Sequence, residues 1–252
     1  MIKLLLTTTV AVVPMAAFTQ ESAPIYLAFR PDGADLTTEG QRHTSKFTLV
    51  RVESVGKSPA VAFLIQESEC PQWIWNAVKP SLPTENRVQS PDLGGRLNYP
   101  SGDFFPINNV DASYVNHFLD AMQKWVPGVR LPTVSEWRTA VNATGSDARR
   151  NEESRLVGLT LKDQPMPKEI KQFKSGVLYD IFSNVEEMCF PDPEHAPSWP
   201  KEYARLGGSW LSPAADIGMK FEIYSSGKMF SRLLGFRLVI PWPEQTNVNK
   251  PQ

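Results

Sequence analysis

The chain has 252 residues, of which 41% are hydrophobic and 21% charged, a composition typical of a globular protein. Its formal net charge of −1 gives no electrostatic reason to expect nucleic acid or an anionic membrane as a partner, because both attract clustered Lys and Arg. The 22 prolines predict a loop-rich fold, since proline interrupts helices and central strands.

The first 20 residues have the pattern of a secretory signal peptide. Lys3 supplies the positive charge, residues 4–13 form a short apolar stretch, and Ala16 and Ala17 follow Pro14. The apolar stretch is shorter than the roughly 20 residues that span a bilayer, and no later segment is long and apolar enough to do so. We therefore expect an exported protein, secreted or periplasmic and cleaved between about residues 17 and 23; a buried N-terminal strand is the alternative.

Three segments rich in β-branched and aromatic residues predict strands at 24–30, 46–53 and 60–66. A short helix is predicted at about 71–79, because Pro71 suits a first helical turn and apolar residues follow at helical spacing. Residues 80–109 contain many prolines and glycines and therefore predict a long loop.

Two further helices have clear local signals. Apolar residues recur at three- and four-residue steps over 115–126, and Pro127-Gly128 ends that pattern. The next helix opens at Thr133, which can form a capping box with Glu136, and Trp137 begins its apolar face.

The rest of the chain predicts no long helix. Residues 144–176 are charged and weakly patterned, which indicates a solvated loop, and residues 176–240 alternate short strands with glycine turns. The sequence has no internal repeat. We therefore expect one domain over 24–241, between the signal peptide at 1–20 and a polar tail at 242–252.

Side chains with metal-binding or catalytic potential are few. The two cysteines, Cys70 and Cys189, permit a disulfide in an oxidising compartment, and two buried free thiols are the alternative. The three histidines lack metal-ligand spacing. One Pro-rich loop groups Asp192, Glu194 and His195, but no set of side chains forms a convincing catalytic site, so we predict no catalytic residue.

Four short blocks follow one another in a recognisable order. They are Glu-Ser-Glu-Cys-Pro-Gln-Trp at 67–73, Arg-Leu-Pro-Thr-Val-Ser-Glu-Trp at 130–137, Leu-Tyr-Asp-Ile-Phe-Ser-Asn-Val-Glu-Glu at 178–187, and Gly-Gly-Ser-Trp at 207–210 with Gly-Phe-Arg at 235–237. Together they resemble the signature blocks of the formylglycine-generating enzyme, or sulfatase-modifying factor, family. The resemblance implies an α+β, C-type-lectin-like fold with short helices, twisted antiparallel strands and much irregular loop.

The chain departs from the family at the positions that carry the family's chemistry. Members of that family bind copper through two cysteine thiolates shortly after the Gly-Gly-Ser-Trp block, and those positions hold Ser212 and Ile217 here. We therefore expect no copper. Leu119 and Leu238 stand where many relatives have a disulfide, so we expect these two leucines to pack in the core.

A structural calcium ion is implied by the same resemblance. Its ligands would be the side chain of Asp180, the backbone carbonyls of Ser183 and Val185, and the carboxylate of Glu187. The alternative is a turn in which Asp180 acts as a simple cap.

These observations favour a non-catalytic binding or accessory module that takes a protein or glycan ligand. Loops on a rigid scaffold commonly bind, and Trp210 and Ser212 are the candidates for lining a ligand groove. Two alternatives stay open: an oxidoreductase of the same family that uses a different site, and a structural subunit of a cell-envelope assembly.

Overall fold

The computed structural model describes residues 25–28, 44–52, 61–78, 102–110, 112–124, 126–143, 170, 178–192, 202–212, 218–225, 231 and 233–242. The predicted signal peptide and residues 243–252 of the predicted tail lie outside the described residues. The described helices are α1 (Gln72–Val78), α2 (Ala112–Gln123) and α3 (Val134–Ala143). The described strands are β1 (Ile25–Ala28), β2 (Thr44–Val52), β3 (Val61–Gln66), β4 (Glu186–Cys189), β5 (Glu202–Gly207), β6 (Gly218–Ser225), β7 (Leu234–Gly235) and β8 (Val239–Pro241).

The described strands form two sheets of four. The first has the order β1-β2-β3-β8, and its neighbours are all antiparallel. The second has the order β6-β5-β4-β7, in which only the β4–β7 pair is parallel. The predicted α+β class is confirmed, as are the three early strands and the short strands after residue 176.

Each sheet contributes to two apolar clusters because side chains alternate along a strand. In the first sheet, Leu64 lies in a cluster with α1 and α2, whereas its neighbours Phe63 and Ile65 lie in a cluster with α3. In the second sheet, Met188 belongs to the first cluster and Cys189 to the second. Strands β3 and β4, which lie inside their sheets, therefore have both faces covered.

The helix predictions hold with small shifts at the ends. Helix α2 ends at Gln123 rather than near Val126, because the residue before a proline is disfavoured in the helical region and Pro127 follows. Gly128 then takes a left-handed φ of 78°. Among the helices of the described ranges, none has the length and apolar character that crossing a bilayer requires.

The predicted capping box at the start of α3 is confirmed. The backbone N–H of Thr133 donates to Glu136 Oε2 at 2.9 Å, and the backbone N–H of Glu136 donates to Thr133 Oγ1 at 3.2 Å. Arg130 adds a two-point ion pair to the same carboxylate, with both nitrogen–oxygen distances at 2.6 Å. Two orphan N–H groups are thereby satisfied, and the helix start is fixed to the preceding loop.

The predicted disulfide is wrong in this structure. Cys70 and Cys189 are both buried free thiols. Cys70 lies in the cluster with α1 and α2, and Cys189 lies in the cluster with α3. An even cysteine count and a predicted oxidising compartment do not specify which apolar cluster a cysteine side chain enters. Leu119 and Leu238 do share one cluster, as expected.

Candidate functional site

The four sequence blocks meet at a group of buried polar side chains. We call this group the polar core: Glu69, Trp137, Asn184, Glu187 and Arg237. None of the five exposes more than 2% of its surface. Polar groups so deeply buried are tolerated only when they are hydrogen-bonded, so their partners show what the group does.

Arg237 uses all five of its N–H donors. Its Nε donates to Glu187 Oε2 at 2.6 Å, and its Nη2 donates to Glu187 Oε1. The remaining donors reach backbone carbonyls of Gln66, Glu67 and Tyr179 at 2.9, 3.2 and 3.0 Å. Arg237 therefore ties its own segment to the end of β3 and to the loop before β4.

The charge of Arg237 is secured by its neighbours. Burial by itself lowers the pKa of this guanidinium, but the charge and hydrogen bonds of Glu187, with the charges of Glu69 and Asp180, outweigh burial and raise it. Trp137 adds a third contact to Glu187, because its Nε1 donates to Oε2 at 2.6 Å. The α3 helix is thereby joined to the same pair.

Glu69 holds the turn that precedes β4. Its carboxylate accepts from Asn184 Nδ2 at 2.8 Å and from the backbone N–H of Val185 at 3.1 Å. Asn184 and Asp180 both have left-handed φ values, 65° and 55°, and their short polar side chains tolerate this conformation. The backbone carbonyl of Asn184 in turn accepts from Trp210 N at 2.8 Å.

The polar core has three nearby carboxyl groups and one guanidinium. Burial first, and then the charges of Asp180 and Glu187, raise the pKa of Glu69 well above its ordinary value, although Arg237 and the N–H of Val185 oppose the shift. Glu187 has Arg237 directly against both of its oxygens, whereas Glu69 does not. The ion pair is therefore formed by Arg237 and Glu187, and burial shifts Glu69 towards its protonated form.

A second region, which we call the serine loop, covers residues 207–212 at the end of β5. Ser212 Oγ accepts from Ser209 N at 2.9 Å and lies 3.1 Å from Ser209 Oγ, while Ser212 N donates to Ser209 O at 2.9 Å. Ser212 is half-buried, whereas Trp210 exposes only 6% of its surface. Of the two predicted groove residues, Ser212 thus reaches the surface and Trp210 packs inside; Ile217 lies outside the described residues.

Two glycines allow close approaches around this site. Gly207 has a φ of 83°, and a Cβ there would collide with the carbonyl oxygen of Ile181. A Cβ on Gly235 would collide with the carbonyl oxygen of Ile107. The glycines at 207 and 235 therefore bring backbones together.

Asp192, which the sequence groups with Glu194 and His195, has a structural role. Asp192 accepts from the backbone N–H and the hydroxyl of Ser135 at 2.9 and 2.8 Å, so it caps α3. His117 is exposed on α2, and Glu194 and His195 lie outside the described residues. Within the described ranges, no three His, Cys, Asp or Glu side chains are grouped as a metal site would require.

The predicted calcium ligands Asp180, Ser183 and Val185 lie in the turn before β4, whereas Glu187 lies in β4 and has other partners. Both of its oxygens accept from Arg237, and one also accepts from Trp137. Ser183 Oγ lies 3.4 Å from Asp180 Oδ1. A calcium ion that uses Glu187 would have to share this carboxylate with the guanidinium of Arg237.

Sequence reasoning missed the pairing of Arg237 with Glu187 and the role of Glu69. One signal was available: Arg237 stands between two apolar residues, Phe236 and Leu238, in a segment that reads as core. A charged residue in such a segment predicts a buried partner of opposite charge, although it does not identify that partner.

No protein-family model matches the chain, and no curated protein matches it. Among solved structures, it is similar to variable protein 1 of Treponema denticola, with 18% identity and a TM-score of 0.51 over 86% of this chain and 99% of that chain. It also aligns with PvdO from Pseudomonas aeruginosa, with 12% identity and a TM-score of 0.39 over 87% of this chain and 92% of that chain. The first likeness shows a shared fold, and the second is too distant to support an argument.

Proposed function

We propose that this chain is an exported, sulfatase-modifying-factor-like domain with a C-type-lectin-like fold, and that it acts as a non-catalytic binding or accessory module. The observation that carries the proposal is the polar core, where all the sequence blocks meet in buried hydrogen bonds. Residues without exposed surface cannot contact a substrate. Folding therefore accounts for the residues on which the family resemblance rests.

The serine loop supports the absence of the family's reaction. A copper site of that kind needs thiolates, because Cu(I) prefers soft, anionic ligands. Ser212 offers a neutral hydroxyl that already bonds to Ser209, and Ile217 offers no ligand atom. The same loop has a half-buried surface on a rigid support, which suits recognition of a protein or glycan by a secreted or periplasmic protein.

The catalytic alternative is tested directly. We expect no mass loss on the cysteine of a Cys-x-Pro-x-Arg peptide incubated with the protein, copper, oxygen and reductant. A metal-free reaction is the control, and oxygen consumption is a second readout. Turnover or oxygen uptake above the control would overturn the proposal and favour an oxidoreductase of this family with a different site.

The binding face is tested by capture from a cell-envelope extract. We expect Ser212→Arg, which places a bulky cation on the serine loop, to lose a partner that the wild type retains. Asn142→Arg is the matched control, because Asn142 is exposed on α3. Equal capture by both variants would exclude the serine loop as the binding face, and a stoichiometric partner retained by both would favour a structural subunit.

Calcium at Asp180, Ser183, Val185 and Glu187 is also part of the proposal. A calcium ion that binds only the folded protein stabilises it by an amount that grows with the logarithm of the free calcium concentration, so the melting temperature should be higher in calcium than in chelator. Magnesium at the same concentration controls for ionic strength. Equal melting temperatures in calcium and chelator would contradict a calcium ion in this turn.

A further inference from the structure

We draw no further inference here: the strongest candidate, the buried side-chain cluster of Glu69, Asp180 and Glu187 around Arg237 beneath the turn before β4, coincides with the calcium position already proposed, and nothing in the described residues beyond its acidic side chains and the shifted pKa of Glu69 points to another ligand.

Discussion

The polar core and the serine loop are neighbours, since Trp210 N donates to Asn184 O, yet they are built in different ways. The polar core joins residues that are 50 to 115 positions apart, and its members are almost completely buried. The hydroxyls of the serine loop bond within three residues of each other, and Ser212 is half-buried. We therefore expect the fold to depend more on the first region than on the half-buried end of the second, at Ser212.

The largest effect is expected from Arg237→Met. This change leaves Glu187 charged and buried with only Trp137 as a side-chain donor, and it removes three bonds to backbone carbonyls. Breaking one partner of a buried ion pair costs about 3–5 kcal/mol. We expect a loss of that size in the free energy of unfolding, measured by urea denaturation.

Arg205→Met is the matched control for this variant. Arg205 forms an ion pair with Glu186 at 3.0 Å in the same sheet, but its side chain is 24% exposed. Partly exposed pairs contribute about 1 kcal/mol or less. Equal losses of unfolding free energy for the two variants would mean that the buried pair of Arg237 and Glu187 stabilises the fold no more than a partly exposed ion pair does.

The next largest effect is expected from Gly207→Ala, at the junction of the two regions. A left-handed φ costs a non-glycine residue about 1–2 kcal/mol, and the new Cβ would also collide with the carbonyl oxygen of Ile181. We expect a total loss of about 2 kcal/mol or more in unfolding free energy.

Gly102→Ala provides the comparison for that variant. A Cβ at Gly102 would meet only the ring of Phe105, at 3.3 Å, and a side chain can adjust where a backbone cannot. We expect a change of less than about 1 kcal/mol there. If Gly207→Ala lost as little unfolding free energy as Gly102→Ala, the backbone segments around Gly207 and Ile181 would be able to move apart and admit the Cβ.

Local elements of the fold could be predicted from the sequence because their causes are local. The box formed by Thr133 and Glu136 needs only a three-residue spacing, and the apolar stripe of α2 needs only helical periodicity. The pairing of β8 with β3 could not be predicted in this way. It joins segments far apart in sequence, and a short apolar strand carries no mark of its partner.

The candidate site, too, was predictable from the sequence only where its causes are local. The close approaches at Gly207 and Gly235 have a local sign in the sequence, because glycine is the residue type that permits them. The partners of Arg237 were not expected, since a charged residue in an apolar segment predicts only that some partner exists. The separation of Cys70 and Cys189 depends on which cluster each thiol enters, and spacing in the sequence does not contain that information.

A smaller, pH-dependent effect is expected from Glu69→Gln. The pKa of Glu69 is raised in the folded protein, chiefly by burial and then by the charges of Asp180 and Glu187. Its stabilising contribution is therefore complete below the unfolded pKa, about 4.3, and is lost as pH rises through the raised folded pKa. Glutamine copies the neutral acid and removes this loss.

We expect Glu69→Gln to be less stable than wild type by about 1 kcal/mol in acid, because one of the two hydrogen bonds to the carboxyl group is lost. The difference should shrink or reverse as pH rises, which unfolding curves across the pH range would show. Asp120→Asn is the control, because it removes an exposed carboxyl group on α2, outside the polar core. A constant difference between Glu69→Gln and wild type would contradict a raised pKa at Glu69.

The smallest effect is expected from Ser212→Ala, and it bears most directly on the comparison between the two regions. The variant removes the acceptor of the Ser209 N–H and the hydroxyl contact between the two serines, while Ser212 N still donates to Ser209 O. Because Ser212 is half-buried, water can replace the lost acceptor, so the cost should be about 1 kcal/mol or less. Ser209→Ala should cost more than Ser212→Ala, since Ser209 is completely buried and its hydroxyl also accepts from Leu211 N at 3.3 Å. The unfolding free energy of both variants is measured by the same urea denaturation. If Ser212→Ala lost as much as Arg237→Met, the serine loop would be as necessary to the fold as the polar core and would not be a surface free to serve binding.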